Sequence, residues 1–391
     1  MSSFSSVNAE WLTLKMGARV KGFSLDNSDL AKLNNTSSLR FATVEFADDS
    51  PSMCIVIKMA APSEQSQMHG LAREGYFYRD WRKLETTDGS RCELESILPM
   101  IFHSEGKMAT GEKLILMQDL SASCIQLGLL FGNGNPNNWG KALPSEGLLG
   151  VQKATSLAFS AAAKLHAPYW GSRRLVDSEE LDWLRGAAWL RGQDKAAWTS
   201  AQANLASLWA QVKAKIGTPG YLVVWDPLLV AVVDSSISKA AGKAGWELFQ
   251  SELRSRPITL VHGDFHPANL LLVEKEERVL LVDWEAVGVG SGPQELGQFM
   301  ISHTAPALRA SIEREAVAAY YVELKKLNQD IDLSLEDCWL EYVQGGLSRW
   351  LFFLPHDGWG NQLASQYFCN QVLAWIKDHN VTANSAPMPR L

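Results

Sequence analysis

Over the first hundred residues short apolar runs alternate with polar turns: ARVKGFSL (18–25), LRFATVEFA (39–47) and MCIVIKMA (53–60). Their length and β-branched content predict strands of an antiparallel sheet. After Pro62 the pattern changes, and SEQSQMHGLAREGYFYRDWRKL (63–84) has helical spacing with Ser63 in the N-cap position, which predicts one helix. Two more strands are predicted in SILPMIFHSE (96–105) and EKLILMQDL (112–120). Beyond Leu120 helical spacing dominates, in SLAFSAAAKLHA (156–167), a Trp- and Ala-rich stretch over about 180–250, and segments near 308–326, 335–354 and 360–378. GNGNPNNWGKALPSEG (132–147) is rich in turn formers and predicts a loop. One island of strand lies in the helical half, where NLLLVEKEERVLLVDWE (269–285) sets two apolar runs around a charged turn and predicts a β-hairpin. No internal repeat is present.

A chain of 391 residues exceeds the size at which one core stops growing. Pattern and length together predict an α+β fold of two lobes, a small antiparallel sheet lobe over 1–120 and a larger, mainly helical lobe over 121–391. With 46% hydrophobic and 20% charged residues the composition is that of an ordinary globular protein. A net charge of -7 argues against nucleic-acid binding, which needs a basic surface. The five cysteines are scattered without CxxC spacing, so neither a disulfide framework nor a structural zinc site is expected. The start MSSFSSVNAEWLTLK lacks the charged and apolar regions of a secretory signal. The longest apolar run, YLVVWDPLLVAVV, is broken at Asp226-Pro227 and is too short to span a bilayer. A soluble, cytoplasmic protein without a membrane partner is expected; the terminal PRL matches a peroxisomal address only faintly.

The densest chemistry is HGDFHPAN (262–269). On a strand alternate side chains share a face, so His262, Asp264 and His266 could converge on one metal ion, as a hydrolase requires. The same letters also suit phosphoryl transfer, with Asp264 taking a proton and Asn269 holding Mg2+. Asp264 and Asn269 stand five residues apart, the spacing of base and metal ligand in a kinase catalytic loop. Asp283 follows on the far strand of the hairpin, which brings it back toward Asn269. Upstream, Lys58 ends the apolar strand CIVIK and Glu74 lies on the next helical segment, placed to pair with it. Alone, each is most often a solvated surface charge. Their order, ahead of LMQDL, HxDxxxxN and a hairpin to Asp, changes that reading.

VHGDFHPANLLL (261–272) and VLLVDWEAVGVGSGPQELGQF (279–299) resemble the aminoglycoside phosphotransferase and choline kinase family, including its ecdysteroid-kinase-like branch. The AAAKLHA helix around His166 belongs to the match, which extends more weakly to VIK, AREGYFY and LILMQDL. The resemblance implies a bilobal protein-kinase-like fold and an enzyme that uses ATP and Mg2+. It makes Asp264 the catalytic base, Asn269 and Asp283 the Mg2+ ligands, Lys58 the partner of the α- and β-phosphates, and Glu74 the residue that orients Lys58. Backbone groups of Gln118, Asp119 and Leu120 would meet the adenine. Two features depart from the family. DNSDLAKLNNTSS (26–38) contains no GxGxxG, so phosphate cover would fall to Ser37, Ser38 and backbone amides. Glu295-Leu296 carries a longer acid than usual after the DWE motif, at a structural position.

His262 is expected to bond backbone and hold the loop, and His166 to pack beneath it. His266 would line the acceptor site or cap the loop. Glu285, two residues past Asp283 on the same strand face, would be a metal partner, a contact to a cationic substrate or a solvated carboxylate. Most of the fifteen tryptophans should be core, with a minority free to form an aromatic wall for an apolar or cationic acceptor. SRWLFFLPHDGWG (348–360) lies where related kinases place acceptor-side residues, which marks Trp350, Asp357 and Trp359 as candidates. The leading expectation is a kinase that moves the γ-phosphate of ATP to a hydroxyl of a small metabolite. A catalytically inactive nucleotide-binding relative and a metal-dependent hydrolase using His262, Asp264 and His266 are the alternatives.

Overall fold

The apolar runs of the first 120 residues become strands β1 (Val20–Leu25), β2 (Ser38–Phe46), β3 (Met53–Ala60), β4 (Ile101–Lys107) and β5 (Glu112–Gln118), antiparallel throughout in the order β1-β2-β3-β5-β4. The computed structural model describes residues 7–25, 37–48, 50–84, 93–131, 149–356 and 361–390. Because successive side chains alternate, β3 and β5 serve two cores. Ile55, Ile57, Leu114 and Leu116 join a small cluster closed by Leu12 of helix α1 (Ala9–Met16), whereas Val56, Ile115 and Met117 join the main core. Lys58 lies opposite Ile115 and Ala60 opposite Lys113, so both lysines share the face turned to the main core.

Helix α1 has no counterpart among the expected elements; Asn8 caps it, accepting from the amide of Trp11. The single helix expected over 63–84 is two, α2 (Glu64–His69) and α3 (Ala72–Asp80). Ser63 caps α2, and the break falls at Gly70, whose φ of 66° ends a helix at no steric cost.

After β5 the chain passes through β6 (Ile125–Gln126) into helix α4 (Val151–His166). The Trp- and Ala-rich stretch folds into α5 (Arg174–Asp177), α6 (Ala187–Leu190), α7 (Lys195–Lys215), α8 (Pro227–Ala241) and α9 (Gly245–Arg254). Asp226 caps α8 with Pro227 in its first turn, so the pair that interrupts the apolar run starts a helix. Trp183, Trp198, Trp209, Trp225 and Trp246 of this stretch are buried, and Trp189 is half-buried. Strand β7 (Thr259–Val261) enters the 262–269 loop, and β8 (Leu270–Val273) and β9 (Arg278–Leu281) form the hairpin, with β6 beside β8. Strand β10 (Gly288–Gly290) returns antiparallel to β7. Helices α10 (Gly292–His303), α11 (Pro306–Leu327), α12 (Leu335–Phe353) and α13 (Gln362–Asp378) follow, and α10 is buried along most of its length between α4, α11, α12 and α13.

The architecture is α+β and bilobal, a sheet lobe against a larger helical one, as the resemblance implies. Among the described residues no helix is long and apolar enough to cross a membrane.

Candidate active site

Strand β7 stops at Val261 and the chain turns at once. Gly263 takes φ 82°, and a Cβ there would lie 2.0 Å from the carbonyl oxygen of Ala286. Only glycine lets the loop pass that close to the segment after the hairpin. The strand alternation that would have aligned His262, Asp264 and His266 is therefore absent. His262 is fully buried, with Nδ1 accepting from the amide of Asp264 at 3.3 Å and Nε2 donating to the carbonyl of Val282 at 3.0 Å. Burial lowers its pKa, in keeping with a neutral ring. Both nitrogens are spent inside the protein. A metal centre of His262, Asp264 and His266 is not assembled, and the hydrolase expectation falls with it.

Beneath the loop, Glu295 of α10 accepts from the amides of His262 at 3.0 Å and Gly263 at 2.6 Å. His166 lies 3.0 Å from Glu295 through Nε2 and 2.9 Å from the Tyr320 hydroxyl through Nδ1. The acid after DWE thus clamps the loop from below.

Asp264 has a side chain 40% exposed and three polar neighbours. Asn269 Nδ2 donates to its Oδ2 at 3.1 Å and to its carbonyl at 3.0 Å, Gln298 Nε2 donates to its Oδ1 at 3.2 Å, and His266 Nε2 lies 3.3 Å from its Oδ2. Burial would raise the carboxyl, but His266, with Arg349 behind it, outweighs burial and holds Asp264 below the usual carboxylate range. Burial likewise works against a charged His266, and Asp264 and Asp283 outweigh it, raising the imidazole above its ordinary value. The other face of His266 stacks on His303, centroids 5.6 Å apart. The Val282 amide donates to the Asn269 carbonyl at 3.0 Å, so Asn269 and Asp283 stand one residue apart across the hairpin end.

Strand β9 ends at Leu281, and Asp283 adopts φ 69°, ψ 60°. That turn stacks Trp284 on Phe77 of α3, centroids 4.0 Å apart, and delivers Asp283 to the sheet lobe. Lys58 Nζ lies 2.7 Å from Glu74 Oε2, 2.6 Å from Asp283 Oδ1 and 3.5 Å from Glu285 Oε1. Lys113, only 1% exposed, is bound by Glu74 and Glu285. Oxygens of Glu74, Asp283 and Glu285 all lie within 4.8 Å of one another, and Glu74 Oε1 has no partner among the described residues. Burial opposes the Lys58 charge, yet Asp283, Glu74 and Glu285 raise its pKa well above the ordinary lysine value. Burial would raise Asp283, and Lys58 and Lys113 hold it low instead.

Glu285 therefore sits in this cluster beside Asp283. Ser37 Oγ donates to Glu285 Oε1 at 3.0 Å and Ser38 Oγ to the Met59 carbonyl at 3.4 Å; residues 26–36 lie outside the described residues. The amides of Gln118 and Asp119 donate to the carbonyls of Met100 and Cys54, both at 3.0 Å, and the Leu120 carbonyl accepts from Ser123 and Cys124. Trp350 is buried, stacked on Phe368 with its indole N–H directed to the Gln298 carbonyl, so it belongs to the α10–α12–α13 core. Asp357 and Trp359 lie outside the described residues. Sequence reading missed Lys113 and Gln298. A lysine in the apolar strand EKLILM was the one available signal for the first, and nothing local marks the second.

Residues 159–327 match the model of the phosphotransferase enzyme family, APH. No curated protein matches the chain. Similar solved structures include an ethanolamine kinase from Plasmodium vivax, at 12% identity and TM-score 0.48, covering 92% of this chain and 82% of that one. The choline kinase LicA from Streptococcus pneumoniae is 11% identical at TM-score 0.47, with 94% and 97% covered. An aminoglycoside phosphotransferase from Alicyclobacillus acidocaldarius is 10% identical at TM-score 0.43, with 94% and 91% covered. The stretch that this family's model matches, residues 159–327, holds His166, the 262–269 loop, the hairpin to Asp283 and Glu295.

Proposed function

We propose that the chain is an ATP- and Mg2+-dependent cytosolic kinase that transfers the γ-phosphoryl group to a hydroxyl of a small metabolite. One juxtaposition carries the reading: a half-exposed Asp264 steadied by Asn269 and Gln298, with the Lys58–Asp283 pair at the adjoining hairpin end. Asp264 is the base. Held below the usual carboxylate range, it is ionised but weakly basic, which suits orienting the hydroxyl early and taking its proton late. The acceptor oxygen forms its bond to phosphorus as the bond to the ADP oxygen breaks, and the proton passes to Asp264. Lys58 meets the α- and β-phosphates, Glu74 positions Lys58, and backbone of Gln118, Asp119 and Leu120 meets the adenine, with Ser37 and Ser38 at the phosphate side.

A divalent cation fits beside Asp283, because the three carboxylates within 4.8 Å of one another carry one negative charge more than the two ammonium groups paired with them. Asp283 and Asn269 would hold Mg2+, with Glu285 beside them. When bound, it offsets charge developing on the transferred phosphoryl group.

Thermal unfolding with and without Mg-ATP tests the reading. Ligand at a hundred times its dissociation constant adds about 2.7 kcal/mol to the folded state. Asp283→Ala should lose that rise, whereas Asp264→Asn should keep it while turnover falls by about a thousandfold. No rise would sink the kinase reading. A rise without turnover on any acceptor would favour the inactive nucleotide-binding relative.

A further inference from the structure

Beside the catalytic loop, α6, α7 and α9 enclose a cavity against β7, β10, α10 and α12. Gly263 and Gln298 line it, which puts it next to Asp264, and Trp189, Trp198 and Phe249 give it an apolar end. Four arginines also line it, and they divide into two kinds. Arg256 is paired with Glu341 at 2.8 Å and Arg390 with Glu252 at 2.7 Å. Arg185 and Arg349 have no carboxylate within 4.0 Å among the described residues. Two acids lie nearby: Asp264, whose charge acts on both arginines and which already has Asn269, Gln298 and His266 as neighbours, and Glu295, which is occupied by the His262 and Gly263 amides and by His166.

Arg349 is 4% exposed; one terminal nitrogen donates to the Gly263 carbonyl at 2.7 Å, and its guanidinium lies over Phe353 at 4.6 Å. Its Nε has no partner among the described residues, nor do Arg390 Nε and Gln202 Oε1 on the same cavity wall. The Arg185 side chain makes no hydrogen bond among the described residues. Burial, then the charges of Arg349 and Arg73, push its pKa well below that of an ordinary arginine. The two guanidinium groups share the single charge of Asp264; charge that is only partly countered away from water is costly, and guanidinium groups match carboxylate and phosphate. A cationic acceptor would meet like charge here. The chain's net charge of -7 does not describe this wall.

Building on the kinase reading, we propose that the acceptor is a hydroxylated anion, a hydroxy acid or phosphate ester with an apolar segment, whose anionic group binds Arg185 and Arg349 while its hydroxyl reaches Asp264. The test uses three acceptors of one length, 6-hydroxyhexanoate, 1,6-hexanediol and 6-aminohexan-1-ol, with four- and eight-carbon sets alongside. With Mg-ATP, kcat/KM for the hydroxy acid should exceed that for the diol and the amino alcohol by about tenfold or more. Arg185→Gln should raise KM for the hydroxy acid about tenfold with kcat little changed and erase its advantage over the diol, and Arg185→Lys should restore part of it. Hexanoate should compete with the hydroxy acid. Equal or better use of the diol or amino alcohol overturns the proposal, as does indifference to Arg185→Gln. Activation by hexanoate without competition would make the cavity an effector site and overturn the acceptor assignment. Calorimetric titration of the hydroxy acids onto the protein without nucleotide gives a second readout: binding weakened by Arg185→Gln supports the site, and no binding at millimolar concentration overturns it. The Mg-ATP unfolding shift is read separately, so loss of the kinase reading and loss of the anion site are told apart.

Discussion

Lys113 shares a sheet face with Lys58 and has Glu74 and Glu285 as its partners. A buried ammonium group persists only where anions replace its hydration, and removing one member of such a set leaves the others uncompensated. Lys113→Met should therefore lower the unfolding free energy by about 3 kcal/mol, read from the urea midpoint at pH 7. An unchanged midpoint would mean that Lys58 alone balances the three acids. Residues at this scale were legible where their relations are local. Asp264, Asn269 and Asp283 lie in one loop and hairpin, so spacing alone brings them together. Glu285 was expected on the face of Asp283 by strand alternation, but β9 ends at Leu281, and it is the turn at Asp283, φ 69°, that brings Glu285 to the lysines. Gln298, Arg185 and Arg349 reach the site from separate elements and carry no local signature.

At the scale of elements, α10 and α12 cross where Gly297 meets Gly346. A Cβ on Gly346 would lie 2.6 Å from the Gly297 Cα, against backbone that cannot swing aside. Gly346→Ala should cost about 3 kcal/mol by urea unfolding, and because α10 carries Glu295 and Gln298 it should also lower kcat. Loss of stability with turnover intact would show that α10 yields there without disturbing the loop. The strands were legible as short apolar runs even where both faces are buried, as in β3 and β5, and α11 follows its helical period through Ile312, Val317, Tyr320 and Leu324. Residues 63–84 do not, since Gly70 outweighs a helical pattern that continues across it. The stretch from about 180 to 250 was read as helical and is, but the boundaries of its several helices were not read from the sequence.

Over the whole molecule, Glu313 ties α11 to α12 and to the end of α13. It accepts from Arg309 at 2.9 Å and Tyr342 at 2.8 Å, with His379 Nε2 at 3.4 Å. Burial would raise its pKa, but His379, Arg309 and Tyr342 outweigh it and hold the carboxyl low. A depressed acid stabilises the fold above its unfolded value, about 4.3, and that contribution is lost as pH falls through the folded value. Glu313→Gln should therefore cost about 3 kcal/mol at pH 7, with the deficit shrinking below about pH 4. A deficit that does not vary with pH would show that the charge is not what matters. The division into two lobes could be anticipated from length and pattern, but what joins them could not. Phe77, on the helix that carries Glu74, lies flat against Trp284 of the other lobe, and Arg73 of the same helix donates to the Trp183 carbonyl at 3.0 Å. A helix held at two points along its length is a poor lever, so moving Glu74 away from Lys58 would require breaking both contacts together.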